Sequence, residues 1–407
     1  MSLLNELSKN EVWQKFYDYK KEKARLTEPE DAALVNFINE KNYLPAANKI
    51  LSRGFYFEPP VKKLLNKMGT NKKRVVYSFK YEENMILKLM SFLLYRYDDY
   101  FSPNCYSFRK NFGVKRAVNS LIHIKEISKY YCYKLDIKNY FNSVDIDLLL
   151  PMLKKVFKDD IKLFEFFSSM LAQNKSSFLE QLITENRGVM AGTPTSPFLS
   201  NIFLAELDRY FYNLNAPYAR YSDDIIVFAP NLDELNKYRE YIYEFLRQHN
   251  LNVNKEKEQI IAPNEAWSFL GIQYCNGVID LSPATLRKIK DKIRRKARAI
   301  HRWKSRKDVS TEKALGIMIK RFNRKFFENT GTNDLTWSRW FFPLLTTDKG
   351  LHEVDSHLQM YLRFLATGKH NKTNYKKAPY ELLKSYGYIN LVNKYYKFIN
   401  APVSTAP

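Results

Sequence analysis

The sequence predicts an α+β fold, and three observations support that class. Short apolar segments typical of strands are few, segments with helical spacing of apolar residues separate them, and strand and helix do not alternate regularly. The chain of 407 residues is 45% hydrophobic, so it can bury a sizeable core. Its length suits two or three domains.

The elements follow from the spacing of apolar residues and from turn residues. Helical spacing covers 1–50, 81–98, 146–175 and 232–249, and it also returns after the Pro-containing stretch 188–208. Two extended segments are predicted to flank a turn at Gly69, Thr70 and Asn71. Further strands are predicted at 133–136, 259–262 and 267–273, and a strand–turn–strand is predicted within 216–230.

The charge of the chain predicts a polyanionic partner. Lys and Arg number 66 against 43 Asp and Glu, a formal net charge of +23. Nucleic acid is the expected partner, because no apolar stretch is long enough to span a membrane. No secretory signal is visible, and Cys105, Cys132 and Cys275 have no paired spacing, so we expect neither a zinc site nor disulfides and place the protein in the cytoplasm.

The cations concentrate in one predicted helix, residues 287–307, which holds twelve Lys or Arg and a single acid. Its apolar residues recur at three, four or seven positions, which indicates one buried stripe on a basic helix. The change in character places a domain boundary near residue 282. The predicted domains are an N-terminal helical extension (1–54), a central domain (55–282), a basic helical domain (283–345) and a C-terminal helical region (346–407).

Two adjacent carboxylates stand out in "RYSDDIIVFA" (220–229). Asp223 and Asp224 fit a hairpin turn between strands, because Asp is a common turn residue. They also fit a divalent-metal site, because hard cations prefer carboxylate oxygens. Asp136, in "KLDIKNYF", lies 87 residues before Asp223 at the end of another predicted strand. A two-metal site for phosphoryl transfer requires carboxylates from separate strands.

These motifs resemble those of bacterial reverse transcriptases of the group II intron-like lineage, in order over residues 55–275. "LDIKNYF" resembles the family's first catalytic strand, and Tyr221–Asp224 resembles its Tyr-x-Asp-Asp hairpin. The resemblance implies a right-hand polymerase fold of fingers and palm with a short antiparallel sheet, then a helical thumb. It also implies two Mg²⁺ ions, which Mn²⁺ can replace, and deoxynucleoside triphosphates as substrates.

The resemblance also assigns roles to single residues. Asp136, Asp223 and Asp224, with Ile137, would hold the metals, and Lys257 in "LNVNKEKEQI" would donate a proton to the leaving pyrophosphate. Nucleotide-binding positions would be Lys67, Arg74, Phe141, Ala191 and Gly192, with Phe141 as the steric gate against a 2′-hydroxyl. Nucleic-acid contacts would be Arg109 and, on the basic helix, Arg294, Arg295, Arg298 and Arg302, with "FLG" (269–271) as the primer grip.

One motif departs from the family pattern. Met190, Ala191 and Gly192 stand where the family usually has Pro-Gln-Gly, a glutamine that helps to seat the nucleotide and the template base. Because this change leaves the predicted metal ligands intact, we still expect polymerase activity.

Three C-terminal stretches follow the basic helix: "WSRWFFPLL" (337–345), "DSHLQMYLRFLATGKH" (355–370) and "LLKSYGYINLVNKYY" (382–396). They resemble the tail of the stand-alone "unknown group" reverse transcriptases, many of which act in anti-phage defence. No zinc-binding or His-Asn-His appendage is visible, and the Val-Thr-Gly signature of retron enzymes is missing. The resemblance implies a structured non-coding RNA as template, copied into cDNA through an RNA–DNA hybrid. An intron-encoded reverse transcriptase with maturase function and an inactive RNA-binding scaffold are the alternatives.

Overall fold

The computed structural model describes residues 2–23, 26–52, 57–66, 73–186, 188–327, 336–371 and 373–401. The helices are α1 (Asn10–Lys23), α2 (Glu28–Asn39), α3 (Leu44–Leu51), α4 (Tyr81–Leu93), α5 (Val114–Ile122), α6 (Tyr140–Ser143), α7 (Ile146–Val156), α8 (Ile161–Ala172), α9 (Ser196–Phe203), α10 (Ala205–Asn213), α11 (Leu232–Gln248), α12 (Pro283–Lys307), α13 (Thr311–Phe326), α14 (Trp337–Trp340), α15 (Lys349–Thr367), α16 (Asn374–Lys377), α17 (Tyr380–Ser385) and α18 (Leu391–Ile399).

The strands are short, and they form three sheets within the described ranges. They are β1 (Val61–Asn66), β2 (Lys73–Ser78), β3 (Tyr131–Asp136), β4 (Lys175–Phe178), β5 (Gln181–Thr184), β6 (Tyr218–Tyr221), β7 (Asp224–Ala229), β8 (Gln259–Ile261), β9 (Trp267–Phe269), β10 (Ile272–Cys275) and β11 (Val278–Leu281). The predicted α+β class is confirmed, because the sheets are small and almost wholly antiparallel and helices separate them.

The central sheet has the strand order β6-β7-β3-β8, and all its pairings are antiparallel. Residues 225–229 of β7 are all buried, which explains their continuous apolar run, because a strand covered on both faces cannot alternate with polar residues. Helix α11 packs against β3 and β7. The central sheet is therefore buried along β7, and the pairing fixes which residues lie at the ends of its strands.

A second sheet, with the order β2-β1-β4-β5, joins the basic hairpin near the start of the chain to a hairpin that the sequence analysis missed. The predicted extended segments correspond to β1 and β2, and the predicted turn at residues 69–71 lies outside the described residues. The missed strands β4 and β5 are joined through Leu179 and Glu180, which have φ values of 50° and 65°. Such turns usually carry Gly, Asn or Asp, so nothing in the sequence marked this one.

The contacts divide the chain into two compact units, Met1–Glu265 and Ala266–Pro407. The boundary predicted from the sequence lies near residue 282, whereas β9, β10 and β11 form one sheet among the described residues and lie in the second unit. In that unit α12 begins at Pro283 with Ser282 as its N-cap, whose hydroxyl accepts a hydrogen bond from the Thr285 amide at 3.2 Å. The functional identity of the four predicted domains stays a prediction.

The basic helix is confirmed and is longer than predicted. Ile289, Ile293, Ala297 and Ile300 form its buried stripe, and α12 packs along α13 and α15 within the second unit. Among the described residues, no helix combines the length and the apolar character that crossing a membrane would need.

Candidate functional site

The register of the central sheet brings the predicted acidic residues to one end of it. Asp136 is the last residue of β3 and pairs directly with Asp224, the first residue of β7. The Ile137 amide donates to the Asp223 carbonyl at 3.0 Å and extends the ladder by one bond. The hairpin interpretation of the sequence is therefore confirmed, and the hairpin places the adjacent acids beside Asp136. The metal site stays a prediction.

The hairpin turn has an unusual backbone. Ser222 has φ 64°, a region that favours glycine, and it occupies the first loop position between β6 and β7. Two hydrogen bonds hold it there: its amide donates to the Ser107 hydroxyl at 2.8 Å, and its carbonyl accepts from Nη1 of Arg220 at 3.1 Å. These contacts from buried side chains fix the direction in which Asp223 and Asp224 leave the sheet.

Burial and mutual repulsion raise the pKa values of the two acids in the hairpin. Burial raises the pKa of Asp223, and repulsion from Asp136 adds to the effect. The pKa of Asp224 is raised to about 6, mainly by burial. Lys134, whose ammonium lies 3.7 Å from the carboxylate, opposes the rise, and repulsion from Asp136 and Asp223 adds to it. Buried carboxylates that repel one another are the setting that a hard divalent cation stabilises.

The donor set fits Mg²⁺ in its chemistry. Asp136, Asp223 and Asp224 supply carboxylate oxygens, and Ile137 can add only its backbone carbonyl, since its side chain is apolar and buried. In the described part of the chain, no three His, Cys, Asp or Glu side chains are grouped tightly enough to hold a metal as they stand. One carboxylate is already engaged: Asp136 accepts hydrogen bonds from Lys257 at 2.6 Å and from the Asn254 amide group at 3.1 Å.

Lys257 reaches the site because its segment runs beside the end of β3. The Lys138 amide donates to the Asn252 carbonyl at 2.8 Å, and the Asn254 amide donates to the Asp136 carbonyl at 2.7 Å. The Lys257 side chain is 59% exposed and its ammonium pairs with Asp136. The structure thus puts Lys257 next to the acids, and its role as proton donor stays a prediction.

Three of the predicted nucleotide-binding residues come together beside the acids. Phe141 is half-buried, five residues after Asp136, and its carbonyl accepts from the Val189 amide at 2.9 Å. Ala191 is tied at both of its backbone groups: its amide donates to the Asn142 side chain at 2.9 Å, and its carbonyl accepts from the Tyr77 amide at 2.8 Å. The missing glutamine therefore does not loosen this loop.

Gly192 is required by the same packing. Its φ is 100°, and a Cβ there would lie 3.1 Å from the Val76 Cβ and from the Tyr77 carbonyl. The Asn142 side chain also donates to the Val75 carbonyl at 3.2 Å, so it joins β2 to the loop of Ala191. Arg74 is exposed on β2, two residues before Val76, and Lys67 lies outside the described residues.

Arg109 has a different environment from the one expected of a template contact. Its guanidinium is buried, pairs with Asp98 at 3.0 Å and donates to the carbonyls of Ser102 and Cys105 at 2.7 and 3.1 Å. It also lies 3.9 Å from the centre of the Phe112 ring. In this structure Arg109 stabilises the loop that carries Ser107. A contact with the template would require Arg109 to break its ion pair with Asp98 and its hydrogen bonds to the two carbonyls.

A buried network beneath the hairpin was not predicted from the sequence. Arg220 and Asp208 form an ion pair with both side chains at 0% exposure, and Asn201 and Ser107 extend it to the hairpin through hydrogen bonds. One signal in the sequence could have indicated this network. Arg220 lies within the short apolar strand β6, and a buried cation needs a partner of opposite charge.

The second unit presents the predicted arginines of the basic helix to solvent. Arg294, Arg295, Arg298 and Arg302 are all exposed. Arg294 pairs with Asp291 at 2.8 Å, one turn earlier on α12. Their contacts with nucleic acid stay a prediction.

Known proteins similar to this chain include two from Escherichia coli. It is 28% identical to the Retron Ec73 reverse transcriptase over 203 residues, 46% of this chain and 60% of that protein. It is 24% identical to the Retron Ec86 reverse transcriptase over 161 residues, 38% of this chain and 48% of that protein. The chain thus spans about half the length of these curated relatives, and it does so without the Val-Thr-Gly signature.

Solved structures similar to the chain include telomerases of two yeasts. The apo telomerase of Candida tropicalis gives a TM-score of 0.47 at 13% identity, covering 96% of this chain and 65% of that one. The Candida albicans telomerase with a fragment of telomeric RNA gives 0.45 at 12% identity, covering 91% and 71%.

The family of reverse transcriptases (RNA-dependent DNA polymerases) matches residues 64–274, a range that contains the three acids, Phe141, the Ala191 loop and Lys257. This range is slightly more than half of the chain. The chain belongs to the reverse transcriptase family.

Proposed function

We propose that the protein is an RNA-directed DNA polymerase that copies a structured non-coding RNA into cDNA. The observation that carries the proposal is the pairing of Asp136 with Asp224 at the end of the central sheet, with Asp223 beside them. Three carboxylates from two strands suit a metal-assisted phosphoryl transfer, in which a 3′-hydroxyl attacks a triphosphate.

Each neighbouring residue has a part in this proposal. Asp136, Asp223 and Asp224, with the carbonyl of Ile137, would hold two Mg²⁺ ions, which when bound would supply charge stabilisation for the displacement. The Phe141 ring would exclude a 2′-hydroxyl, and the backbone of Ala191 and Gly192 would form the adjoining wall. Arg74 would contact the triphosphate, and Lys257 Nζ would give a proton to the pyrophosphate.

The proposed partner is RNA that stays bound through the basic helix. Arg295, Arg298 and Arg302 are exposed at helical intervals on α12, so their charges can follow a phosphate backbone. In the polymerase this helix would act as the thumb, on the RNA–DNA hybrid as well as on the template RNA. The free cysteines, two of them buried, are compatible with the reducing cytoplasm that we propose.

We further propose a role in anti-phage defence, as a stand-alone reverse transcriptase of the "unknown group" type. The C-terminal stretches and the missing Val-Thr-Gly motif support this over a retron, while the curated relatives support a shared bacterial origin of the polymerase domain. An intron-encoded reverse transcriptase with maturase function is the second candidate. An inactive scaffold is disfavoured, because all three acids are present.

The experiment is to purify the protein from its native locus and to sequence the RNA and DNA that co-purify. One abundant short RNA, with cDNA copied from a fixed segment of it, is the expected result. A spliced intron would support the mobile-element candidate instead. A diffuse pool of cellular RNA would contradict the dedicated template.

A further inference from the structure

The segment between α15 and α17 displays two exposed rings on a rigid support. His370 is exposed and stacks on Phe364 of α15, with ring centres 4.5 Å apart and planes 4° apart. Tyr375 is 64% exposed, and the guanidinium carbon of the buried Arg363 lies 4.3 Å from its ring centre. Each ring is thus covered on one side by the protein and exposed on the other.

The support beneath His370 extends from α15 to α12 within the second unit. Tyr361 lies 5.1 Å from His370, and His301 of α12 lies 4.8 Å from Phe364, measured between ring centres. The segment itself is tied to α15, because Arg363 Nε donates to the Ala378 carbonyl at 3.1 Å. The rings are therefore held in place before any ligand binds, which lowers the entropy lost on binding.

The charge around the rings selects the ligand. Lys369, Lys376 and Lys377 are exposed, and residues 366–377 include neither Asp nor Glu. Fixed aromatic rings among lysines match a ligand with flat apolar faces joined by negative charges, which is a single-stranded nucleic acid. Duplex RNA fits less well, because its bases are already stacked on each other.

We propose that this aromatic–lysine surface (Phe364, Lys369, His370, Tyr375, Lys376 and Lys377) binds an unpaired segment of RNA. Bases stack on His370 and Tyr375, and the lysines contact the flanking phosphates. The inference rests on the proposed function for the identity of the RNA, as a loop or an end of the structured template. The binding chemistry does not depend on DNA synthesis.

The test measures binding of the full-length protein to a short unstructured RNA and to an RNA duplex of the same length, by fluorescence anisotropy. His370→Ala with Tyr375→Ala should weaken binding of the single strand by about tenfold or more, since both stacking contacts are lost. Duplex binding should change by less than about twofold. His370→Phe with Tyr375→Phe keeps the rings and should keep the affinity.

The matched control is Tyr212→Ala, which removes an exposed tyrosine from α10 in the first unit and should leave both affinities unchanged. Thermal unfolding of each variant checks its fold. If the double alanine variant does not fold, Lys369→Gln with Lys376→Gln takes its place. Loss of these two cations should reduce the salt slope of single-strand binding by about 1 to 2.

Unchanged single-strand affinity, or an equal loss for single strand and duplex, would overturn the inference. Primer extension on a supplied primer and template separates this result from the proposed function. A wild-type protein that does not extend the primer but shows the expected binding pattern would overturn the polymerase proposal alone. Normal extension combined with unchanged binding by the double alanine variant would overturn this inference alone.

Discussion

Arg220 and Asp208 form a bidentate ion pair that is completely buried beneath the Asp223–Asp224 hairpin. Nε donates to Oδ1 at 2.8 Å and Nη2 to Oδ2 at 2.5 Å. The remaining guanidinium nitrogen donates to the carbonyl of Ser222, the residue with positive φ in the hairpin turn. We infer that the pair positions the turn, and through it the acids, without contacting substrate itself.

Replacing one partner of this pair should destabilise the protein strongly. Arg220→Met would leave the Asp208 carboxylate buried without its cation, a situation that typically costs about 3 to 5 kcal/mol. Urea unfolding of the metal-free protein measures the loss, and a stability equal to that of the wild type would contradict the inferred pair.

The matched variant separates stability from positioning. Arg220→Met with Asp208→Leu removes both charges, so much of the lost stability should return. Primer extension should stay low, because nothing then holds the Ser222 carbonyl. Recovery of activity together with stability would mean that the pair serves the fold alone.

The sequence predicted the acids well and the support beneath them poorly. Asp136 and Asp224 belong to local patterns of an acid next to apolar strand residues, and each pattern can be recognised without knowing the fold. Asp208 lies on α10, where an acid among polar residues looks solvent-exposed, and only tertiary packing brings it to Arg220.

Arg109 and the β4–β5 hairpin illustrate two further limits. An arginine next to aromatic residues fits a template contact or a buried structural role equally well, and the distinction depends on Asp98, eleven residues away. Leu179 and Glu180 adopt turn geometry without turn residues, so their hairpin had no local signal.

The stability of the metal-free protein should depend on the charge of Asp224. Its folded-state pKa, about 6, lies above its ordinary value of 3.8, so the folded protein is destabilised by this charge above pH 6 and the penalty disappears as pH falls below about 4. Asp224→Asn should therefore stabilise the metal-free protein at pH 7.5 by about 1 to 3 kcal/mol.

Chemical denaturation with chelator at pH 7.5 and at pH 4 checks this dependence. The difference between Asp224→Asn and the wild type should shrink at the lower pH. A constant difference would show that burial of the charge is not its cause, and Asp233→Asn on the exposed start of α11 is the control.

Asn142 should tune nucleotide affinity. It joins the Val75 carbonyl to the Ala191 amide, so Asn142→Ala removes two partly buried hydrogen bonds worth about 1 kcal/mol each. We expect KM for deoxynucleotides to rise by about tenfold with a smaller change in kcat. Asn142→Asp keeps the acceptor and should give an intermediate KM; a drop in kcat at constant KM would argue against this role.

Phe141 should control sugar selectivity. Phe141 is half-buried and lies five residues after Asp136. The centre of its ring is 6.3 Å from the centre of the Phe108 ring. Phe141→Ala should admit ribonucleotides while deoxynucleotides are still incorporated. Competition between the two sugars in primer extension measures the ratio, and Phe108→Ala is the neighbouring aromatic control. Unchanged selectivity would assign the gate to another residue.

We infer that the acids of the hairpin carry the chemistry while other surfaces carry RNA affinity. Primer extension and RNA binding are measured side by side for Asp223→Ala with Asp224→Ala, and for Asp233→Ala as control. We expect no detectable DNA synthesis, with RNA affinity within about twofold of the wild type, because binding depends mainly on cations and stacking rings. DNA synthesis that survives the double substitution would contradict it.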